Sequence, residues 1–180
     1  FFQDTLNALR RHRFRYGVKS SGDRITEAGV WSAYDRSRTV KNVVIVAGHA
    51  GSGKTEYSKQ LAERTGWPLL DKDTLTRPLV EELAQLLTGD PQDRHSAEYL
   101  ERIRPLEYSA LLATMWEVLK FGPDGVVVTA PFVKELFDSS WLDDLTLECE
   151  ANGYHLTVVW VHCDPEALRR RIVSRGAPRD

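Results

Sequence analysis

Residues 43–55, VVIVAGHAGSGKT, allow few folds: a β-branched apolar run, a loop with three glycines and the start of a helical pattern follow one another without a spacer. Val43, Val44, Ile45 and Val46 suit a strand buried on both faces of a parallel sheet. The chain must then turn sharply. Gly48, Gly51 and Gly53 permit backbone dihedrals that a Cβ would forbid, so successive N–H groups can converge into an anion-binding nest. A helix starting near Gly53 adds unpaired amides and the positive end of its dipole. Strand, loop and helix in this order predict a βα unit that grips an anion.

The spacing G-x-x-x-x-G-K-T, carried by Gly48, Gly53, Lys54 and Thr55, resembles the Walker A motif of P-loop NTPases. That resemblance implies ATP and Mg²⁺ as ligands. Lys54 would reach the β- and γ-phosphates, the Thr55 hydroxyl would coordinate the metal, and His49, Ala50, Gly51 and Ser52 would line the phosphates. The His49 side chain reads either as a phosphate or substrate contact or as a tolerated exposed loop residue.

A chain of 180 residues can bury a sizeable core in one domain, with room for a helical extension. Its 24 basic and 26 acidic residues nearly cancel, which argues against a protein that coats nucleic acid. No apolar run reaches membrane-spanning length, no signal-peptide pattern is present, and the two cysteines, Cys149 and Cys163, fit no zinc spacing. A reducing cytoplasm is the simplest setting.

Residues 1–40 precede the core. FFQDTLNALRRHRF has Phe2, Leu6 and Leu9 near helical spacing and a basic end from Arg10 to Arg15, which reads as a solvated helix face or as a contact for RNA or an acidic partner. A second short helix is expected in ITEAGVWSAYD. Beyond the loop, the helix of GKTEYSKQLAERTG, starting near Gly53, ends at Gly66, and WPLLDKD gives a short second strand. Residues 75–88 are predicted helical, SAEYLERIR and PLEYSALLATMWEVLK form further helices with Pro105 starting the second, and Leu112, Met115, Trp116 and Leu119 make a core stripe. GVVVTAPF is the third strand, VKELFDSSWLDDLTLECEANG a helix broken near its serines, and HLTVVWVHC the fourth strand, followed by a helix capped by Asp164. Strands alternating with helices predict an α/β fold with a parallel sheet and right-handed crossovers.

Ligands of such sheets bind beyond the carboxyl ends of the strands. The second strand ends in LLDKDTLTRPL, and a carboxylate there can accept a proton from an attacking hydroxyl or help to hold Mg²⁺. Here the chain resembles P-loop kinases of the nucleoside-monophosphate-kinase-like group, especially small-molecule kinases related to zeta toxins, chloramphenicol phosphotransferase and gluconate kinase. The resemblance implies a three-layer P-loop sandwich over residues 41–180 with strand order 2-3-1-4. It makes Asp73 the base facing the acceptor hydroxyl and Arg77 a substrate contact, with Asp71 as a metal ligand alongside Thr55. The two carboxylates could exchange roles, or one could cap the helix beginning near Thr74. It also makes Arg171 and Arg175 lid residues that stabilise the transferring phosphoryl group, and places Arg102, Arg104, Glu107 and Tyr108 among substrate-binding helices. Pro131 and Phe132 either wall the acceptor pocket or end the strand. On the same resemblance the chain stops inside the lid, with a fifth strand expected beyond residue 180.

One departure bears on function. The third strand offers Thr129, Ala130 and Pro131 where a Walker B motif has an Asp, which weakens a motor-ATPase reading and leaves a kinase reading intact. The expectation is an ATP-dependent phosphotransferase acting on a hydroxyl of a small molecule. The alternatives are a polynucleotide 5′-kinase and a non-catalytic nucleotide-binding module.

Overall fold

The computed structural model describes residues 41–163. The expected helices of residues 1–40, the Arg10–Arg15 run, the helix after Asp164 and the lid arginines Arg171 and Arg175 lie outside the described residues.

In chain order the elements are β1 (Lys41–Ala47), α1 (Lys54–Thr65), β2 (Leu69–Asp71), α2 (Lys72–Thr88), a π-helical turn (Tyr99–Ile103) running into α3 (Arg104–Lys120), β3 (Gly125–Thr129), α4 (Val133–Phe137), α5 (Ser139–Ala151) and β4 (Tyr154–Trp160). The four strands form one parallel sheet in the order β2-β3-β1-β4. Alternate side chains of β1 divide between two cores. Val43, Ile45 and Ala47 join Leu111, Met115, Leu136 and Leu145 of the helices on one face, while Val44 and Val46 meet Leu61 of α1 on the other. With both faces covered, every central strand position is apolar, which is why the strand reads as a continuous β-branched run. Ile45 is fully buried, and its truncation to alanine would cost about 2–5 kcal/mol.

Three boundaries differ from the sequence reading. Helix α2 begins at Lys72 rather than Leu75, because the Asp71 side chain caps it directly at the end of β2; Pro78 therefore sits inside the helix, on its exposed side. Strand β3 ends at Thr129 instead of running to Phe132, because Pro131 has no N–H to continue the ladder. The helix predicted to start afresh at Pro105 is instead continuous with the preceding segment through the π-helical turn, in which the Arg104 amide donates to the Tyr99 carbonyl five residues back. Pro105 explains the wide turn: its ring would clash with the carbonyl four residues earlier, and it has no N–H to bond there. The break near the serines falls at Asp138, whose carboxylate caps α5 by accepting from the amides of Ser140 and Trp141.

Candidate active site

The loop after β1 is tied at its root to both neighbouring strands. The Gly48 amide donates to the Pro131 carbonyl beyond β3 (3.2 Å), and the Val161 amide beyond β4 donates to the Ala47 carbonyl (2.7 Å). Gly48 adopts φ +151, and a Cβ there would fall 2.4 Å from the Val161 carbonyl oxygen and 2.8 Å from Ser52 Oγ. Only glycine fits. Gly53, at φ 96, is the N-cap of α1 and supplies no side-chain cap, so the first turn of the helix is left for a ligand to satisfy. Lys54 Nζ curls back towards the loop and donates to the His49 carbonyl at 3.4 Å. His49 is exposed and sets its ring edge-on to Trp160 at 5.4 Å. Partial burial, then the nearby His162 and Lys54, lower its pKa below the ordinary imidazole value, so at neutral pH it is an uncharged neighbour of the loop.

A cavity of about 1000 Å³ extends from this loop across the carboxyl ends of the strands. Of the residues singled out from sequence, His49, Ala50, Gly51, Lys54, Thr55, Asp71, Asp73 and Arg77 line it. Gly48, Ser52 and Gly53 shape the loop behind them. Three others are not brought to the cavity. Phe132 is fully buried between Tyr108 and Trp141, so it closes the core rather than walling the pocket. Tyr108 is buried too, with its hydroxyl accepting from the Phe132 amide. Arg102 is exposed, on the outward side of the wide turn whose Tyr99 and Ile103 point inward. None of these placements is legible from neighbouring residues, because each depends on contacts between distant segments.

The two carboxylates after β2 have distinct surroundings. Asp71 Oδ1 accepts from the amides of Asp73 (2.9 Å) and Thr74 (3.1 Å), the geometry of an N-cap. Asp73 has a side chain 58% exposed, with Lys72 Nζ 3.0 Å from Oδ1 and Arg77 Nη2 3.7 Å from Oδ2. Desolvation alone would raise its pKa, but the Lys72 charge and hydrogen bond, with Arg77 and Lys54, outweigh it and hold the carboxyl below the usual carboxylate range. It is ionised at neutral pH.

Behind Asp73 lies a polar cluster that includes Glu107 and Arg104, two of the residues expected among the substrate-binding helices, and both line the cavity. Lys72, only 7% exposed, makes an ion pair with Glu107, 3% exposed, from α3. Thr76 Oγ1 lies 3.2 Å from Glu107 Oε1, and the Tyr99 hydroxyl donates to Oε2 at 2.6 Å. Burial and the adjacent Glu107 carboxylate raise the Tyr99 phenol pKa, so it stays protonated as the donor. Nearby, Arg104 forms a two-pronged pair with Glu135 (2.7 and 2.9 Å) and lies over the Tyr108 ring at 4.4 Å. Glu107 was expected near a substrate, but its pairing with Lys72, 35 positions away, is not legible from neighbouring residues.

Among the described residues no group of three or more His, Cys, Asp or Glu side chains could hold a metal by itself. Donors at the cavity include the exposed Thr55 hydroxyl and the Asp71 and Asp73 carboxylates, oxygen ligands that suit a hard cation completed by phosphate oxygens and water. Thr129, at the place of the missing acidic residue, is buried and donates to the Val46 carbonyl at 3.2 Å.

A family profile described as AAA domain matches residues 43–180. The chain belongs to that family. An adenylate kinase from Chlamydia pneumoniae is 26% identical to this AAA-domain chain over 145 residues, which cover 76% of the chain and 61% of the relative. Among solved structures, a presumptive kinase from Chloroflexus aurantiacus matches with TM-score 0.51 at 22% identity, over 76% of this chain and 66% of that one. A gluconokinase from Sinorhizobium meliloti matches with TM-score 0.47 at 22% identity, over 77% and 66%. The chain thus spans less than two thirds of the length of each, and the solved structures speak to the fold alone. The family and the strand order agree with the P-loop kinase resemblance read from the sequence. No helix among the described residues is long and apolar enough to cross a membrane.

Proposed function

We propose that this AAA-domain chain is the nucleotide-binding part of an ATP-dependent phosphotransferase that moves the γ-phosphoryl group to a hydroxyl of a small molecule. One observation carries the reading: a single cavity joins the phosphate loop and Lys54 to the ionised carboxylate of Asp73. The loop amides and Lys54 hold the phosphates and offset charge on the transferring group. Asp73 accepts the acceptor's proton as its oxygen forms the new O–P bond and the bond to the ADP leaving oxygen breaks. Arg77, half-exposed beside Asp73, would touch the acceptor. Thr55 and Asp71 are the residues that would hold Mg²⁺, which when bound neutralises phosphate charge. Arg171 and Arg175 are assigned to the same transition state on the sequence resemblance. The setting is a reducing compartment such as the cytoplasm, in keeping with two free, buried cysteines, Cys149 and Cys163.

The test is to incubate the protein with γ-labelled ATP and a panel of nucleosides, sugars, antibiotics and oligonucleotides, beside Lys54→Ala. Label should pass to a small hydroxyl compound, and Lys54→Ala should abolish transfer and weaken nucleotide binding with the melting curve unchanged. Equal transfer by Lys54→Ala refutes the assignment. Preference for oligonucleotides with steep salt dependence would instead favour a polynucleotide kinase.

A further inference from the structure

We propose that Glu107 and Lys72 are positioning residues: the buried pair anchors the Asp73 carboxylate, holding it at the acceptor end of the cavity. This rests on the reading of Asp73 as the base.

Stability gives a poor account of the pair. Removing a lysine and a glutamate from water costs several kcal/mol per ion, and well-packed apolar side chains in place of such a pair are often neutral or stabilising. Apolar neighbours are at hand, since Val80, Ala84, Tyr99 and Ile103 form a small core cluster between α2 and the wide turn. The charges are nonetheless kept, and Glu107 is held from several sides. Its Oε2 accepts from the Tyr99 hydroxyl, and its Oε1 takes Lys72 and lies near the Thr76 hydroxyl, whose proton is shared with the Lys72 carbonyl 2.8 Å away. A carboxylate held from the π-helical turn and from α2 has little freedom to move.

The ammonium group held by Glu107 is also 3.0 Å from Asp73 Oδ1. Neighbouring residues of a helix point about 100° apart and do not ordinarily face each other. The Lys72–Asp73 contact is therefore not a by-product of helix geometry; it requires the Lys72 side chain to lie where Glu107 keeps it. Lys72, Asp73 and Glu107 all line the cavity, so the anchored group opens onto the space an acceptor would fill. The remaining charges around Asp73 are Arg77 on the same helix, Lys54 from α1 and Asp71 at the end of β2. Arg77 is half-exposed and 3.7 Å away, beyond the distance of a hydrogen bond that could fix the carboxylate alone.

The decisive variant removes both charges together, Lys72→Met/Glu107→Gln, because either single change strands a buried ion, whereas the glutamine oxygen still accepts from Tyr99 while its amide nitrogen can donate to the Thr76 hydroxyl, whose own proton goes to the Lys72 carbonyl. Melting temperature, ATP affinity, kcat and acceptor KM are measured for the parent, the double variant, Lys72→Arg and Glu107→Asp. Misplacing a reacting group by about 1 Å can cost about 10²-fold. The double variant should keep its ATP affinity within about twofold and its acceptor KM nearly unchanged while kcat falls about 10- to 100-fold, with Lys72→Arg recovering part of the loss. At fixed pH the carbon-13 carboxyl resonance of Asp73, assigned with Asp73→Asn, should move in the double variant, a readout that needs no turnover. An unmoved resonance, or an unchanged kcat in a parent that does transfer phosphate, overturns the positioning role and leaves the phosphotransferase reading standing. A parent that transfers to no acceptor overturns that reading itself. A double variant that melts far below the parent yet retains kcat when folded shows the pair to be structural and overturns the proposal.

Discussion

Replacing Asp71 by asparagine and by alanine separates two duties that converge on one side chain. In the fold, Asp71 Oδ1 takes the amides of Asp73 and Thr74, both left unpaired by the first turn of α2. Alanine removes the cap, a loss of about 1 kcal/mol. For a chain of 180 residues that corresponds to a fall in melting temperature of about 2–4 °C. Asparagine keeps the capping oxygen and loses only the charge–dipole contribution, about 0.3–1 kcal/mol, so its melting point should fall between alanine and the parent. In the proposed reaction Asp71 also supports Mg²⁺, and there the two variants should behave alike, because each lacks the negative charge. A Mg²⁺ titration of phosphoryl transfer should show both needing more metal for half-maximal rate, with most of the rate restored at saturation. Asp73→Asn in the same titration should lose about 10²–10⁴-fold at every metal concentration, as expected for a missing base. If Asp71→Ala melts with the parent, the cap contributes nothing and the helix start is held by packing. If Asp71→Asn needs no extra metal, the metal assignment is wrong; if the metal-dependent defect appears at Asp73 instead, the two roles are exchanged.

Three further outcomes follow from particular contacts. Gly48→Ala, whose new methyl meets the Val161 carbonyl, should destabilise the fold by about 1–3 kcal/mol and weaken nucleotide binding at least tenfold by titration; a variant that binds normally would mean the loop yields at its root. Tyr57→Phe should melt with the parent or up to about 1 kcal/mol above it, because the buried hydroxyl has no partner among the described residues, and a clear loss would reveal one. Burial, with help from Glu148 and Glu150, pushes the Cys149 thiol up to about 12; alkylation of the native protein at Cys149 should therefore stay slow and gain nothing between pH 7 and 9, while the unfolded chain labels readily.

The parts of the fold legible in the sequence are those where neighbouring residues carry the information. The β-branched run of Val43 to Val46 announces a doubly covered strand, and Gly48, Gly53, Lys54 and Thr55 announce the loop because the nest is built from consecutive backbone groups. Gly66 ends α1 in the left-handed conformation through a bond within its own helix, so it too is readable locally. The strand order came from family resemblance, since periodicity cannot rank strands. What stayed hidden is long-range. Lys72 looks like a solvated charge between two acids until Glu107 arrives from α3, and Phe132 looks available to a ligand until Tyr108 and Trp141 enclose it. Tyr99 belongs to a stretch whose helical pitch changes midway, which no fixed period of 3.6 residues can register.

That change of pitch makes chain length part of the site. Eight residues of regular α-helix would leave Tyr99 about 80° around the axis from Glu107. A π-helical turn acts as one residue inserted into the helix, so the effective spacing becomes seven and the misalignment shrinks to about 20°. A relative that kept all eight residues but wound them as regular α-helix could keep every side chain of the cluster and still lose the hydroxyl that meets Glu107, whereas one a residue shorter and without the wide turn would hold the two in line. In this family, then, the pitch of that helix carries as much chemical meaning as a substitution, and matching the letters without following the winding would miss it.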